Sequence, residues 1–169
     1  PVSGAVVRYR SPENIILEIK DCIKNYKITN FVFWSDIFNQ DKAWVVDLCK
    51  KIIKENLKIT WSANTRVDTI DQSLLNLMYK AGCRLVSVGV ESGSQFILDK
   101  IEKKTTIFEI RDCFKMIKRA KMKSYAYFVV GLPWDDEATI KQSIDLAIEL
   151  NPDFVSFYTA VPLPATKFY

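Results

Sequence analysis

Glu91 and Ser92 stand directly after an apolar run, Arg84-Leu85-Val86-Ser87-Val88-Gly89-Val90, and are followed by Gly93. A carboxylate and a hydroxyl at the end of such a run suit ligand recognition, because buried parallel strands collect chemistry at their carboxyl ends. Other apolar runs in the chain end the same way. Asn30-Phe31-Val32-Phe33-Trp34 leads into Ser35-Asp36, and Leu57-Lys58-Ile59-Thr60-Trp61 leads into Ser62, with Arg66 four residues on. Tyr125 to Val130 leads into Gly131-Leu132-Pro133, and Asp153 to Tyr158 leads toward Pro162-Leu163-Pro164. Two carboxylates, a guanidinium, hydroxyls and a glycine on one face suit a small zwitterionic or polyhydroxylated ligand. Carboxylates accept from an ammonium or from ribose hydroxyls, and a guanidinium clamps a carboxylate. Each residue alone reads equally well as a helix cap or a loop salt bridge; the recurrence across strands favours a site.

Composition narrows the chemistry. The chain has 169 residues, enough for one domain with a sizeable core. It contains no histidine, which excludes His-based catalysis and His metal ligation. Cys22, Cys49, Cys83 and Cys113 lie about 30 residues apart with no C-x-x-C pair, the pattern of reduced core or helix thiols and not of a metal site. A net charge of +4 from 24 basic and 20 acidic residues forms no long basic run, so nucleic acid is not expected as an obligatory partner. No apolar segment approaches membrane-spanning length and no signal peptide opens the chain, so no membrane partner and a cytoplasmic location are expected.

The elements that position these residues alternate. Val6-Val7-Arg8-Tyr9 reads as a short extended run. Ser11-Pro12-Glu13 opens a helix with an N-cap serine and a proline in its first turn. Asp41 caps a second helix and a third starts near Asp71, with Gly82 as its stop. A helical segment holds Phe96, Ile97 and Leu98; Thr106-Ile107-Phe108-Glu109 is a capping box; Asp135 or Asp136 caps the last helix. Five strands alternating with helices in units of about 30 residues predict a parallel sheet of βαβ units. The similar unit size and the absence of G-x-G-x-x-G favour a partial TIM-like (β/α) barrel of parallel strands over a doubly wound sheet.

Five short motifs carry a resemblance: Thr65-Arg66-Val67-Asp68, Ala81-Gly82-Cys83, Gly89-Val90-Glu91-Ser92-Gly93, Gly131-Leu132-Pro133 and Pro162-Leu163-Pro164-x-Thr166. In this order and spacing, over nearly the whole chain, they resemble the core domain of radical S-adenosylmethionine enzymes. The similarity is greatest to the branch of cobalamin-linked members and the anaerobic magnesium-protoporphyrin ester cyclase. The resemblance implies a partial barrel with S-adenosylmethionine across the top of its strands. Ser35 and Asp36 match the position that meets the methionine amino group, and Ser62, Arg66 and Glu91 match positions along ribose and methionine, with Ser92 beside Glu91 a further cofactor-binding candidate. Lys103 matches a base that pairs with the methionine carboxylate. Val130, Gly131 and Leu132 match the strand beside adenine, with Ala160 and Val161 similarly placed.

The resemblance further implies an iron–sulfur oxidoreductase: a 4Fe–4S cluster, fed by an electron donor such as flavodoxin or ferredoxin, cleaves S-adenosylmethionine to a 5′-deoxyadenosyl radical that takes hydrogen from a substrate the sequence does not name. The family's C-x-x-x-C-x-x-C loop is absent from this sequence. Residues 1–169 are therefore expected to be a partial barrel domain of a larger protein, inactive alone, with the cluster loop ahead of Pro1 and any cobalamin held by another domain. Ala165 stands where P-G-T is usual, and Trp134-Asp135-Asp136 where G-E-T is usual. Two other classes stay open. One is a non-catalytic α/β ligand-binding or scaffold domain whose strand-end polar groups are only caps. The other is a barrel hydrolase or aldolase using Glu91 and Lys103. An uncovered sheet edge beside Trp34 is expected to self-associate.

Overall fold

A computed structural model describes residues 8–162 of the chain. Five strands, β1 (Asn30–Phe33), β2 (Thr60–Thr65), β3 (Cys83–Glu91), β4 (Lys123–Val130) and β5 (Phe154–Thr159), form one sheet in the order β1-β2-β3-β4-β5. Every neighbouring pair is parallel. Six helices connect or precede them: α1 (Pro12–Tyr26), α2 (Lys42–Lys54), α3 (Gln72–Lys80), α4 (Gln95–Lys100), α5 (Ile107–Arg119) and α6 (Glu137–Leu150). A strand order that never reverses sends successive right-handed crossovers over the same face, which is how a β/α barrel is built and a doubly wound sheet is not.

Local chemistry fixes the helix ends where the sequence places them. Ser11 accepts from the Asn14 amide, Asp41 from Trp44 and Asp71 from Leu74. Thr106 and Glu109 form a reciprocal capping box. Between the two candidate caps of α6, Asp136 is the cap, accepting from the Thr139 amide, while Asp135 accepts from Leu132 and the Thr139 hydroxyl. Gly82, at φ +99°, turns the chain from α3 into β3.

The core lies between the helices and one face of the sheet. Val86, Val88 and Val90 of β3 and Ala126 and Phe128 of β4 are fully buried there, against Leu48 and Ile52 of α2, Leu74 and Met78 of α3, and Ile110 and Phe114 of α5. Each such side chain contributes roughly 1.5–3 kcal/mol of transfer free energy. Alternate residues face the other way, onto an open face: Val32, Ser62, Asn64, Ser87, Gly89, Tyr125 and Tyr127. On its β4–β5 side this face is aromatic. Tyr125 lies 4.6 Å from Tyr127 and 5.7 Å from Phe154, ring centre to ring centre.

One strand departs from expectation. The run Leu57–Trp61 is not a strand ending before Ser62; β2 begins at Thr60 and continues through Thr65. Its alternation is Trp61, Ala63 and Thr65 buried, with Ser62 and Asn64 on the open face. Polar residues on one face hid the two-residue period. Ser62 therefore sits mid-strand, beside Val32 of β1 and Leu85 of β3, and not at a strand end. Of the first extended run, Val6 and Val7 lie outside the described residues, and Arg8 and Tyr9 form no strand.

Candidate functional site

The carboxyl end of β3 is irregular in a way that builds a site. Pairing with β4 slips between Gly89 and Glu91, and Glu91 has φ +68°, a left-handed conformation that costs a residue with a side chain about 1–2 kcal/mol. The slip turns the Glu91 side chain back over the strand. Its Oε1 accepts from Lys103 Nζ at 2.7 Å. Lys103 itself is held just after α4, between Glu102 and Lys104, both at φ +54°. With side chains only 25% and 19% exposed, the pair is more shielded than an ordinary surface salt bridge. Gly89 lies beneath it: a Cβ there would stand 2.6 Å from Glu91 Oε1 and 3.1 Å from Lys103 Nζ.

Next to this pair, at the end of β2, Arg66 makes a two-point contact with Asp68, Nε to Oδ1 at 2.9 Å and a terminal nitrogen to Oδ2 at 2.8 Å. Hydrogen bonds from Arg66 hold the Asp68 carboxyl below its ordinary value, and the charge of Lys103 adds to the effect. The two ion pairs, Glu91–Lys103 and Arg66–Asp68, stand at the carboxyl ends of the neighbouring strands β3 and β2. They offer an ammonium, a guanidinium and two carboxylates, a donor and acceptor set complementary to an amino-acid zwitterion.

The turn after β1 borders the same edge of the sheet. Ser35 presents its carbonyl to Asn64 Nδ2 at 3.2 Å, and its Oγ is buried without a hydrogen-bond partner among the described residues. Asp36 is exposed. Trp34, Ser35 and Asp36 line a cavity of about 610 Å³ that runs along β1 and α1 past Val32, Ile19 and Trp44. This cavity does not reach the Glu91–Lys103 pair; it lies on the β1 side.

Beyond β4, Val130 accepts from the Ala160 amide at 2.8 Å, joining the ends of β4 and β5. Gly131 has φ +80°, and Asp135 caps the Leu132 amide at 2.9 Å. Ala160, Val161 and Pro162 follow β5; Leu163, Pro164, Ala165 and Thr166 lie outside the described residues.

The structure brings together Arg66, Glu91 and Lys103, and sets Ser35 with Asp36 and Val130 to Leu132 at the same carboxyl edge. It places two sequence candidates elsewhere. Ser62 lies on the open face below the edge, as described above. Ser92 is 1% exposed and turns toward α6, where its Oγ meets Ser143 Oγ at 3.2 Å and accepts from the Ser94 amide at 3.1 Å. The Gly93 amide donates to Ser143 Oγ as well, at 2.8 Å, so Ser92 and Gly93 lock β3 to α6. Sequence reasoning passed over Asp68 as a partner of Arg66, and Asn39 and Asn64 altogether. The alternation of Asn64 with Ser62 was the available signal.

The four thiols do not fit an iron–sulfur cluster. Cys49, Cys83 and Cys113 are buried in the core, on α2, β3 and α5, and Cys22 lies on α1. Burial pushes Cys49 and Cys113 up to about 12, and Cys83 higher still, against the thiolate form that metal ligation needs. Among the described residues no three His, Cys, Asp or Glu side chains gather to hold a metal.

An unreversed parallel sheet with charged side chains gathered at its carboxyl edge defines the β/α-barrel class of protein. The Radical SAM superfamily model matches residues 3–147, and the chain belongs to that superfamily. It is 29% identical over 164 residues to the anaerobic magnesium-protoporphyrin IX monomethyl ester cyclase of Rubrivivax gelatinosus, covering 96% of this chain and 30% of the cyclase. It is 30% identical over 162 residues to an uncharacterized methyltransferase of Pyrococcus horikoshii, covering 96% of this chain and 35% of the relative. The chain thus spans about a third of the curated relatives it matches. In fold it matches the radical S-adenosylmethionine methyltransferase TsrM from Kitasatospora setae, solved with cobalamin and a 4Fe–4S cluster bound. The TM-score is 0.83 at 16% identity, over 91% of this chain and 32% of TsrM.

Proposed function

We propose that this chain is the S-adenosylmethionine-holding barrel segment of a radical S-adenosylmethionine enzyme. The observation that carries the reading is the two ion pairs, Glu91–Lys103 and Arg66–Asp68, at the carboxyl ends of adjacent strands in an unreversed sheet. The residues present fit the cofactor. Lys103 and Arg66 supply positive charge for its carboxylate, and Glu91 and Asp36 supply acceptors for its ammonium and ribose hydroxyls. The unpartnered Ser35 hydroxyl adds one more polar contact, and the bare backbone of Gly131 leaves room for a base beside Val130 and Leu132. A ligand that binds here must compete with two ion pairs already made, so these four side chains exchange partners when it binds.

When bound in enzymes of this family, S-adenosylmethionine supplies a 5′-deoxyadenosyl group for radical chemistry. The chain's own part is to bind, orient and screen that cofactor with the strand ends and the open face. The described residues provide no cluster ligands, so no electron-transfer step is assigned to them. A separate electron donor such as flavodoxin or ferredoxin, and cobalamin on another segment, belong to the proposal. So does a cytoplasmic location, which four free cysteines support. Among the described residues no helix is long and apolar enough to cross a membrane.

The relatives include a cyclase and methyltransferases, and hydrogen abstraction is the reaction proposed here. The test joins a C-x-x-x-C-x-x-C segment ahead of residue 1, reconstitutes iron and sulfide without oxygen, and adds S-adenosylmethionine and dithionite. Formation of methionine and 5′-deoxyadenosine is expected, falling by about tenfold or more in Glu91→Gln. S-adenosylhomocysteine as the only product would replace hydrogen abstraction by methyl transfer. Failure of the reconstituted protein to bind S-adenosylmethionine would overturn the reading and favour a scaffold.

A further inference from the structure

Three hydrogen bonds tie the turn after β1 to the end of β2. The Phe38 amide donates to Asn64 O at 2.9 Å, Asn64 Nδ2 donates to Ser35 O at 3.2 Å, and the Arg66 amide donates to Asn39 Oδ1 at 3.1 Å. Two of the three depend on asparagine side chains. Asn39 is fully buried, yet its Nδ2 has no hydrogen-bond partner among the described residues. Burying an amide with an unpaired donor costs free energy that an apolar side chain of the same shape would not. What Asn39 offers in return is the acceptor for Arg66. Asn64 lies half-buried on the open face, where it fills no part of the helix-side core.

We infer that Asn39 and Asn64 are positioning residues that splint the Ser35–Asp36 turn to Arg66. The inference rests on the reading above that these groups hold S-adenosylmethionine. Without the splint, Asp36 would ride on a turn held to the neighbouring strand by the single Phe38–Asn64 backbone bond. With it, a carboxylate from β1 and a guanidinium from β2 are presented at a fixed separation. Groups held in place before the ligand arrives lose less freedom on binding, which appears directly as affinity. Asn39 acts on the backbone of Arg66 and Asn64 on the backbone of Ser35, so neither needs to touch the ligand.

The experiment uses the same reconstituted protein and reads the dissociation constant for S-adenosylmethionine by equilibrium dialysis. Asn64→Ala is expected to weaken binding about threefold to tenfold, the worth of one hydrogen bond, with a thermal midpoint within about 4 °C of the parent. Asn64→Gln, which keeps an amide donor, is expected to recover most of that loss. Hydrogen exchange at the Arg66 amide is expected to be slow in the parent and faster in Asn39→Ala. Wild-type affinity in Asn64→Ala would overturn the inference and leave the proposed function standing. So would a loss of affinity that only follows a fallen thermal midpoint and is not recovered by Asn64→Gln. A parent protein that does not bind S-adenosylmethionine would sink both.

Discussion

At the scale of single residues, Glu91 is the group whose environment says most about the site. Its left-handed backbone is a local cost, and the pairing slip at the end of β3 is what imposes it. The return is a carboxylate folded back over Gly89 onto Lys103 instead of pointing along the strand. Gly89→Ala tests this without attacking the charges. The added methyl would meet Glu91 Oε1 at 2.6 Å, and because that oxygen ends a flexible side chain, the carboxylate moves and the backbone stays. The expected outcome is about a tenfold loss of S-adenosylmethionine affinity, with a thermal midpoint shifted by less than about 4 °C. Equilibrium dialysis and calorimetry read the two quantities; unchanged affinity would place the pair outside the binding site.

The elements are anchored by caps, and one cap makes a pH prediction. Asp71 caps α3 and lies below the usual carboxylate range, held there first by Lys42, then by the Ser73 hydroxyl and the Leu74 amide. Lys42 opens α2, so the pair joins two helices. A carboxyl whose folded value is depressed stabilises the fold fully above its unfolded value of about 3.9, and the contribution is lost as pH falls through the folded value. Both side chains are about half exposed, so solvent screening keeps the effect small. Asp71→Asn keeps a capping oxygen and removes the charge. Its urea midpoint is expected below the parent's at pH 7, with the gap closing as pH falls below about 4. A gap that stays constant with pH would show that Asp71 acts only as a neutral cap.

For the molecule as a whole, the sheet has two edges among the described residues, β1 and β5. On β1, Val32 is 65% exposed, and Trp34 beyond it is 90% exposed. A parallel edge that no strand among the described residues covers, with apolar side chains beside it, invites pairing with another chain. Concentration-dependent association is therefore expected in sedimentation or light scattering, and Val32→Lys is expected to suppress it. A strict monomer across the concentration range would remove this edge as a docking surface.

Much was legible from the sequence because it is encoded locally. Ser11, Asp41, Asp71 and the Thr106–Glu109 box mark helix starts through short-range hydrogen bonds that any chain with those residues would make. Apolar runs of four to eight residues, too short for helices, gave the parallel sheet and its alternation with helices. The resemblance carried by five short motifs gave the family before any fold was seen. Pairings between elements were not legible. Ser92 follows Glu91 directly, yet one faces the carboxyl edge and the other α6, because a slip in pairing with β4 decides their directions. The extent of β2, the meeting of Glu91 with Lys103 twelve residues later, and the burial of Asn39 under Arg66 depend on neighbours distant in the chain. Local propensity fixes which element a residue joins; only tertiary packing decides which of its faces meets another strand, another charge or the ligand.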